Sequence, residues 1–88
     1  MITVKVTQSH IEQGEPSSSL CPLALALQET QQLAIEVDAD SVLTWNAVSG
    51  SYRILAYLSR RAQRFVRDFD NGIPVHATTF YFKIGDTK

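Results

Sequence analysis

Ile2, Val4 and Val6 alternate with Thr3, Lys5 and Thr7 at the start of the chain. A period of two marks a strand with one buried and one wet face, and predicts a first strand over 2–6. The segment TQSHIEQG follows, with hydroxyl and amide side chains able to cap a single helical turn at Ser9 to Gln13, which Gly14 ends. Glu15, Pro16 and three serines then form a loop too short to separate two domains. From Leu20 the run LCPLALALQETQQ predicts a helix over 21–31, with Pro22 in the first turn, where its missing N–H costs nothing, and Ser19 or Cys21 as cap. Leu20, Leu23, Ala24 and Leu27 make one apolar face, widened by Cys21 and Leu25, while Gln28, Glu29 and Gln32 lie on the wetter side. A face that broad predicts burial against a sheet.

Leu33, Ile35 and Val37 alternate with Ala34, Glu36 and Asp38 and predict a second strand over 33–37, ending in the turn-forming DADS. VLTWN and SYRILAY flank AVSG and predict a hairpin that pairs 42–46 with 51–56. Ser59 caps a helix running to Asp70, whose Ala62, Phe65, Val66 and Phe69 recur at i, i+3, i+4 and i+7 and turn toward the sheet. Asn71 and Gly72 end it, Pro74 forbids continuation, and Phe80, Phe82 and Ile84 alternate with Thr79, Tyr81 and Lys83 as a final strand. The order β, short α, α, β, β, β, α, β predicts a single α+β domain over 1–88. Its mainly antiparallel sheet of about four to five strands carries two helices on one face.

A hydrophobic fraction of 44% with 19% charged residues is that of a folding chain. At 88 residues it buries only roughly 60 to 65% of the surface its unfolded form exposes. Its lone cysteine makes no internal disulfide, which points to a reducing compartment, and the cytoplasm is the expected location. Neither a secretory leader nor a run of about 18 apolar residues occurs, so no membrane association is expected.

Charge alters this picture more than composition does. All five arginines lie between Arg53 and Arg67, whereas Val6 to Tyr52 holds no lysine or arginine but carries Glu12, Glu15, Glu29, Glu36, Asp38 and Asp40. Arg60, Arg64 and Arg67 fall at i, i+4 and i+7 opposite the apolar helix face, with Arg61 beside them and Arg53 upstream. Arg60 and Arg61 oppose the dipole in the first turn, as Asp68 and Asp70 do in the last, each at a cost of ~0.3 kcal/mol. Stability alone favours the reverse arrangement. The other account of these residues is a solvated face, or one paired with the acidic 12–40 region.

The remaining chemistry is sparse. Cys21 before Pro22 stands where helix N–H groups stabilise a thiolate, but a nucleophile needs a base, and neither His10 nor His76 has a spacing that ties it to Cys21. Cys21 reads as a small buried hydrophobe. No repeated ligand spacing supports a metal, and no cofactor motif occurs. Asp68 and Asp70 point to different helix faces, with Asp68 placed to pair with Arg64 at i, i+4. Trp45, Tyr52, Tyr57 and Tyr81 offer rings for packing, for an interface or for stacking on bases, but a net charge of −1 is not the footprint of a dedicated nucleic-acid binder.

With Ile11, Glu12 and Gly14, then Cys21 to Ala26, then Phe65 to Val75 and the aromatic strand TFYFKI, the chain resembles a group of small uncharacterised proteins of phages, prophages and bacterial genomes. These share an Ile-(Asp/Glu)-x-Gly element, a Cys-Pro-x-Ala-Leu-Ala helix start and a helix end of the form Phe-(Ile/Val)-x-x-Phe-Asp-x-Gly-x-Pro-Val. The resemblance implies context, a small accessory protein of a phage or mobile element, and carries no assigned activity. Taken with the arginine surface and the lack of a catalytic motif, it leads to the expectation of a non-enzymatic protein that binds a host or phage protein partner as inhibitor or modulator. Arg53, Arg60, Arg61, Arg64 and Arg67 are the candidate contact residues. The alternative is a nucleic-acid-binding module built on the same 53–67 segment, and a homo-oligomer is compatible with either.

Overall fold

The computed structural model describes residues 2–31 and 33–82. Eight elements follow one another: β1 (Ile2–Val6), α1 (Gln8–Gln13), α2 (Pro22–Gln31), β2 (Ile35–Val37), β3 (Ser41–Asn46), β4 (Ser51–Tyr57), α3 (Arg60–Asp70) and β5 (Thr78–Phe82). The α+β class, the antiparallel pairing and the element order are those the sequence predicts. Within the final strand, Lys83 and Ile84 lie outside the described residues. The second strand starts at Ile35 rather than Leu33, because the chain turns out of α2 there and leaves Leu33 exposed.

The five strands divide between two sheets rather than forming one. β1 pairs antiparallel with β5, from Ile2 opposite Phe82 to Val6 opposite Thr78, while β2, β3 and β4 form an antiparallel meander. The reason lies in α2. Pro22, Leu23, Ala24, Ala26 and Leu27 are all buried, and at about 100° per residue they cover an arc of about 200°. A single flat sheet covers one side of such a helix, so two sheets converge on it: α2 packs against both β1 and β2. Ile2, Val4, Val6, Phe80 and Phe82 from one sheet and Ile35, Val37, Val42, Leu55 and Ala56 from the other join its leucines in one core.

A bulge directs the hairpin. Val42 pairs with Ala56 but Leu43 pairs with Ile54, which makes Leu55 the extra residue on β4. Two consecutive side chains, Leu55 and Ala56, therefore turn into the core, and the strand's alternation is broken at that point. Beyond the bulge every residue from Trp45 to Ile54 is exposed, so the distal hairpin projects from the body as a two-stranded arm. At its tip the Asn46 carboxamide oxygen accepts from the Val48 and Ser49 N–H groups, and Gly50 takes φ +69° to close the turn.

α3 begins and ends as its sequence dictates. Ser59 accepts from the Ala62 N–H, and at the other end Gly72, at φ +76°, donates to the Phe69 carbonyl while Ile73 donates to that of Asp68. That pair of bonds is the Schellman arrangement. Ala62, Phe65 and Val66 are buried as expected, and Phe69 is partly buried at the edge of the same core. α1 starts one residue before the expected turn, with Thr7 as its cap. Gly14 ends it in extended rather than left-handed backbone, and a Cβ at Gly14 would sit 2.8 Å from Pro22 Cδ. Glycine is needed there for close approach of α1 to α2, not for a positive φ.

Candidate functional site

The sequence-predicted arginines separate into three groups. Arg60, Arg64 and Arg67, with Gln63 among them, lie within an arc of about 100° on the solvent side of α3 and line one shallow cleft. All three arginines are exposed, and among the described residues none is within salt-bridge distance of a carboxylate. The expected Arg64–Asp68 pair does not form, and the acidic 12–40 region does not neutralise the stripe. The Asp38-Ala39-Asp40 turn does come close, with Ala39 beside Val66 and Arg67.

Arg61, one position around the helix, belongs to the fold instead. Its guanidinium donates to Thr78 Oγ1 at 3.0 Å and to the Thr79 carbonyl, and lies 4.5 Å from the centroid of the Phe80 ring. It clamps α3 to β5, where Phe65 meets Phe80 edge to face at 5.3 Å between centroids. Arg53 sits on β4 opposite Thr44, on the other face of the hairpin from Tyr52 and Ile54. It lines none of the clefts beside α3.

The hairpin supplies a second surface. Leu43 is opposite Ile54, Trp45 opposite Tyr52 and Ser41 opposite Tyr57, so these side chains share the outer face of the three-stranded sheet. Trp45 is 43% exposed, Tyr52 48%, Ile54 46% and Tyr57 59%. The Trp45 and Tyr52 rings are 4.9 Å apart in an edge-to-face contact. Tyr52 donates its hydroxyl to Glu36 on β2, and that bond pushes its phenol above the usual range. Glu36 in turn accepts from Ser18, which ties the arm to the loop before α2. The face is ordered by these bonds, yet among the described residues nothing covers it.

His10 has a structural task that its sequence position did not announce. The Thr7 N–H donates to His10 Nδ1 at 3.0 Å, and Thr7 Oγ1 accepts from the His10 N–H, a capping box in which histidine stands where glutamate or glutamine is usual. With Nδ1 accepting, the proton resides on Nε2, which donates to Glu29 of α2 at 2.9 Å. The ring thus joins α1 to α2. The signal in the sequence was the spacing Thr7-x-x-His10, a capping box with an unusual third-position partner.

Cys21 is 1% exposed just before Pro22, and its carbonyl accepts the Leu25 N–H of the first turn. Burial pushes its thiol up, the Ala24 N–H opposes that, and the charge of Asp70 adds to it. Asp70 is itself raised by desolvation. Labelling by a neutral thiol reagent at pH 7.5 is expected to be slower by about two orders of magnitude in the native protein than in denaturant, since both access and thiolate are suppressed. Faster native labelling, followed by absorbance of the released thiol, would show an activated nucleophile. His76 is exposed beside α3, and among the described residues no three His, Cys, Asp or Glu side chains gather to hold a metal ion. Among these residues no helix is long and apolar enough to cross a membrane. Compared with protein-family models, with curated proteins and with solved structures, the chain matches none.

Proposed function

We propose that this chain is a non-enzymatic binding module for a protein partner, of the accessory kind found among the small phage and prophage proteins it resembles. The observation that supports this reading is the projecting hairpin with its outer face of Leu43, Trp45, Tyr52, Ile54 and Tyr57. Two tyrosines, a tryptophan and an isoleucine are held together there, each between 43% and 59% exposed. Contiguous apolar surface of that kind marks a protein contact, and Trp and Tyr are the residues on which such contacts depend most. Cys21, the single cysteine of the sequence, is closed off in the core, which favours binding over catalysis.

The test is photo-crosslinking in cells with benzoylphenylalanine at Trp45 or at Tyr57, against the exposed Thr3 of the other sheet as control. A discrete protein adduct is expected from both arm positions and not from Thr3. Equal adducts from all three positions, or none from the arm, would overturn the reading. A nuclease-sensitive adduct would transfer the hairpin to the nucleic-acid alternative.

A further inference from the structure

We infer that the Arg60/Arg64/Arg67 face of α3 is a docking site for an acidic helix of the partner, one whose carboxylates recur at i, i+3 and i+7. This deepens the binding-module reading and rests on it for the existence of a protein partner. Three observations carry it.

The first is that the charge on this face is uncompensated. No carboxylate among the described residues reaches these arginines, although the chain has six acidic residues between Glu12 and Asp40. Arg60 stands in the first turn, where no acidic residue offsets the helix dipole, so the arrangement works against the helix itself. Arg61, by contrast, is turned onto β5, where two of its N–H groups are bonded to Thr78 and Thr79.

The second is spacing. Residues 60, 64 and 67 step four and then three along α3 and span about 10 Å of its axis. A helix lying antiparallel on this face meets those guanidiniums with acidic residues stepping three and then four, at the same rise per residue. Flanking charged pairs between helices set partner and orientation in this way.

The third observation distinguishes carboxylates on a helix from a phosphate backbone. The stripe is short and bounded by negative charge: Asp68 and Asp70 stand in the last turn, and Asp38 and Asp40 flank the Ala39 turn beside Arg67. Duplex DNA carries a charge about every 1.7 Å of axis, so length that runs past Arg67 falls against those carboxylates. A net charge of −1 adds to this. An acidic patch confined to two turns of helix has no such overhang.

The experiment is fluorescence anisotropy with a labelled alanine-based helical peptide bearing glutamates at i, i+3 and i+7, a copy with glutamines at those positions, and a single-stranded oligothymidylate. At low salt the glutamate peptide is expected to bind about tenfold or more tightly than the glutamine copy. R60E/R64E/R67E is expected to erase that difference while its circular dichroism and melting temperature stay near the parent's. Arg53→Glu is expected to change binding by less than about twofold. Equal affinity for the two peptides, no binding of the glutamate peptide, or tighter binding of the oligothymidylate overturns the acidic-helix assignment. The two proposals fail separately. Persisting hairpin crosslinks with no peptide binding leave the module and remove the acidic helix. Peptide binding without hairpin crosslinks does the opposite.

Discussion

Replacing Phe80 with alanine is expected to remove a large share of the chain's stability and to lower its urea midpoint sharply. The ring is 2% exposed and joins β5 to α3 from three directions: edge to face with Phe65, beside Phe82 on its own strand, and beneath the Arg61 guanidinium. Truncation of a buried phenylalanine costs roughly 3 to 5 kcal/mol through lost transfer energy and the residual cavity. A chain of this length has a total stability of only about 4 to 13 kcal/mol. Phe80→Leu keeps most of the buried area but loses the aromatic edge and the cation contact, so its expected cost is about 1 to 2 kcal/mol. Urea titration followed by circular dichroism gives both values. A parent-like midpoint for Phe80→Ala would show that α3 is held by something other than this ring.

The second large effect is expected at Leu23, which is fully buried on α2. Leu23→Ala is expected to cost roughly 2.7 to 5 kcal/mol, at the upper end of that range, because the leucine belongs to the helix between two sheets and neither sheet can collapse onto the cavity without leaving the other. Phe69→Ala serves as the contrast. Its ring is only partly buried at the margin of the core, so its cost is expected to be about half that of Phe80→Ala. Native-state hydrogen exchange reports where the loss falls. Leu23→Ala is expected to accelerate exchange in β1 and in β2 together, and acceleration confined to one sheet would mean that α2 does not couple them.

Local signals carried most of the fold. The alternation in β1, the Ser59 cap, the Phe65 spacing and the Asn71-Gly72 stop each depend on a few neighbouring residues, and each element stands where those residues put it. What escaped depends on distant partners. The partition into two sheets follows from the width of the apolar arc on α2, which is visible in the sequence, whereas the strands that cover each side of it are set by distant pairing. The bulge at Leu55 is invisible in SYRILAY, since consecutive leucine and alanine fit either a bulge or an ordinary buried strand. That Gly14 ends α1 is a local matter, but the reason a glycine is needed there is not, because nothing in the chain announces that Pro22 lies against it.

The arginine stripe was legible for the same local reason: positions 60, 64 and 67 share a helix face in any α-helix. Arg61 was not separable from it, because its acceptors, Thr78 and Thr79, come 17 and 18 residues later in the chain. The aromatic arm was legible only as a hairpin. That Trp45, Tyr52, Ile54 and Tyr57 share an outer face required the register of the strands.

The pairing of β1 with β5 has a consequence for how this protein is made. Val4 is synthesised 76 residues before its cross-strand neighbour Phe80. At about 5 to 20 residues per second, the inward face of β1 waits on the order of several seconds for its partner strand, and Phe65 waits for Phe80 as well. The meander and α2 can assemble sooner because their contacts are local, but β5 closes the core. Nascent chains halted before Thr78 are therefore expected to hold a protease-sensitive body, with full protection arriving in a single step once β5 emerges.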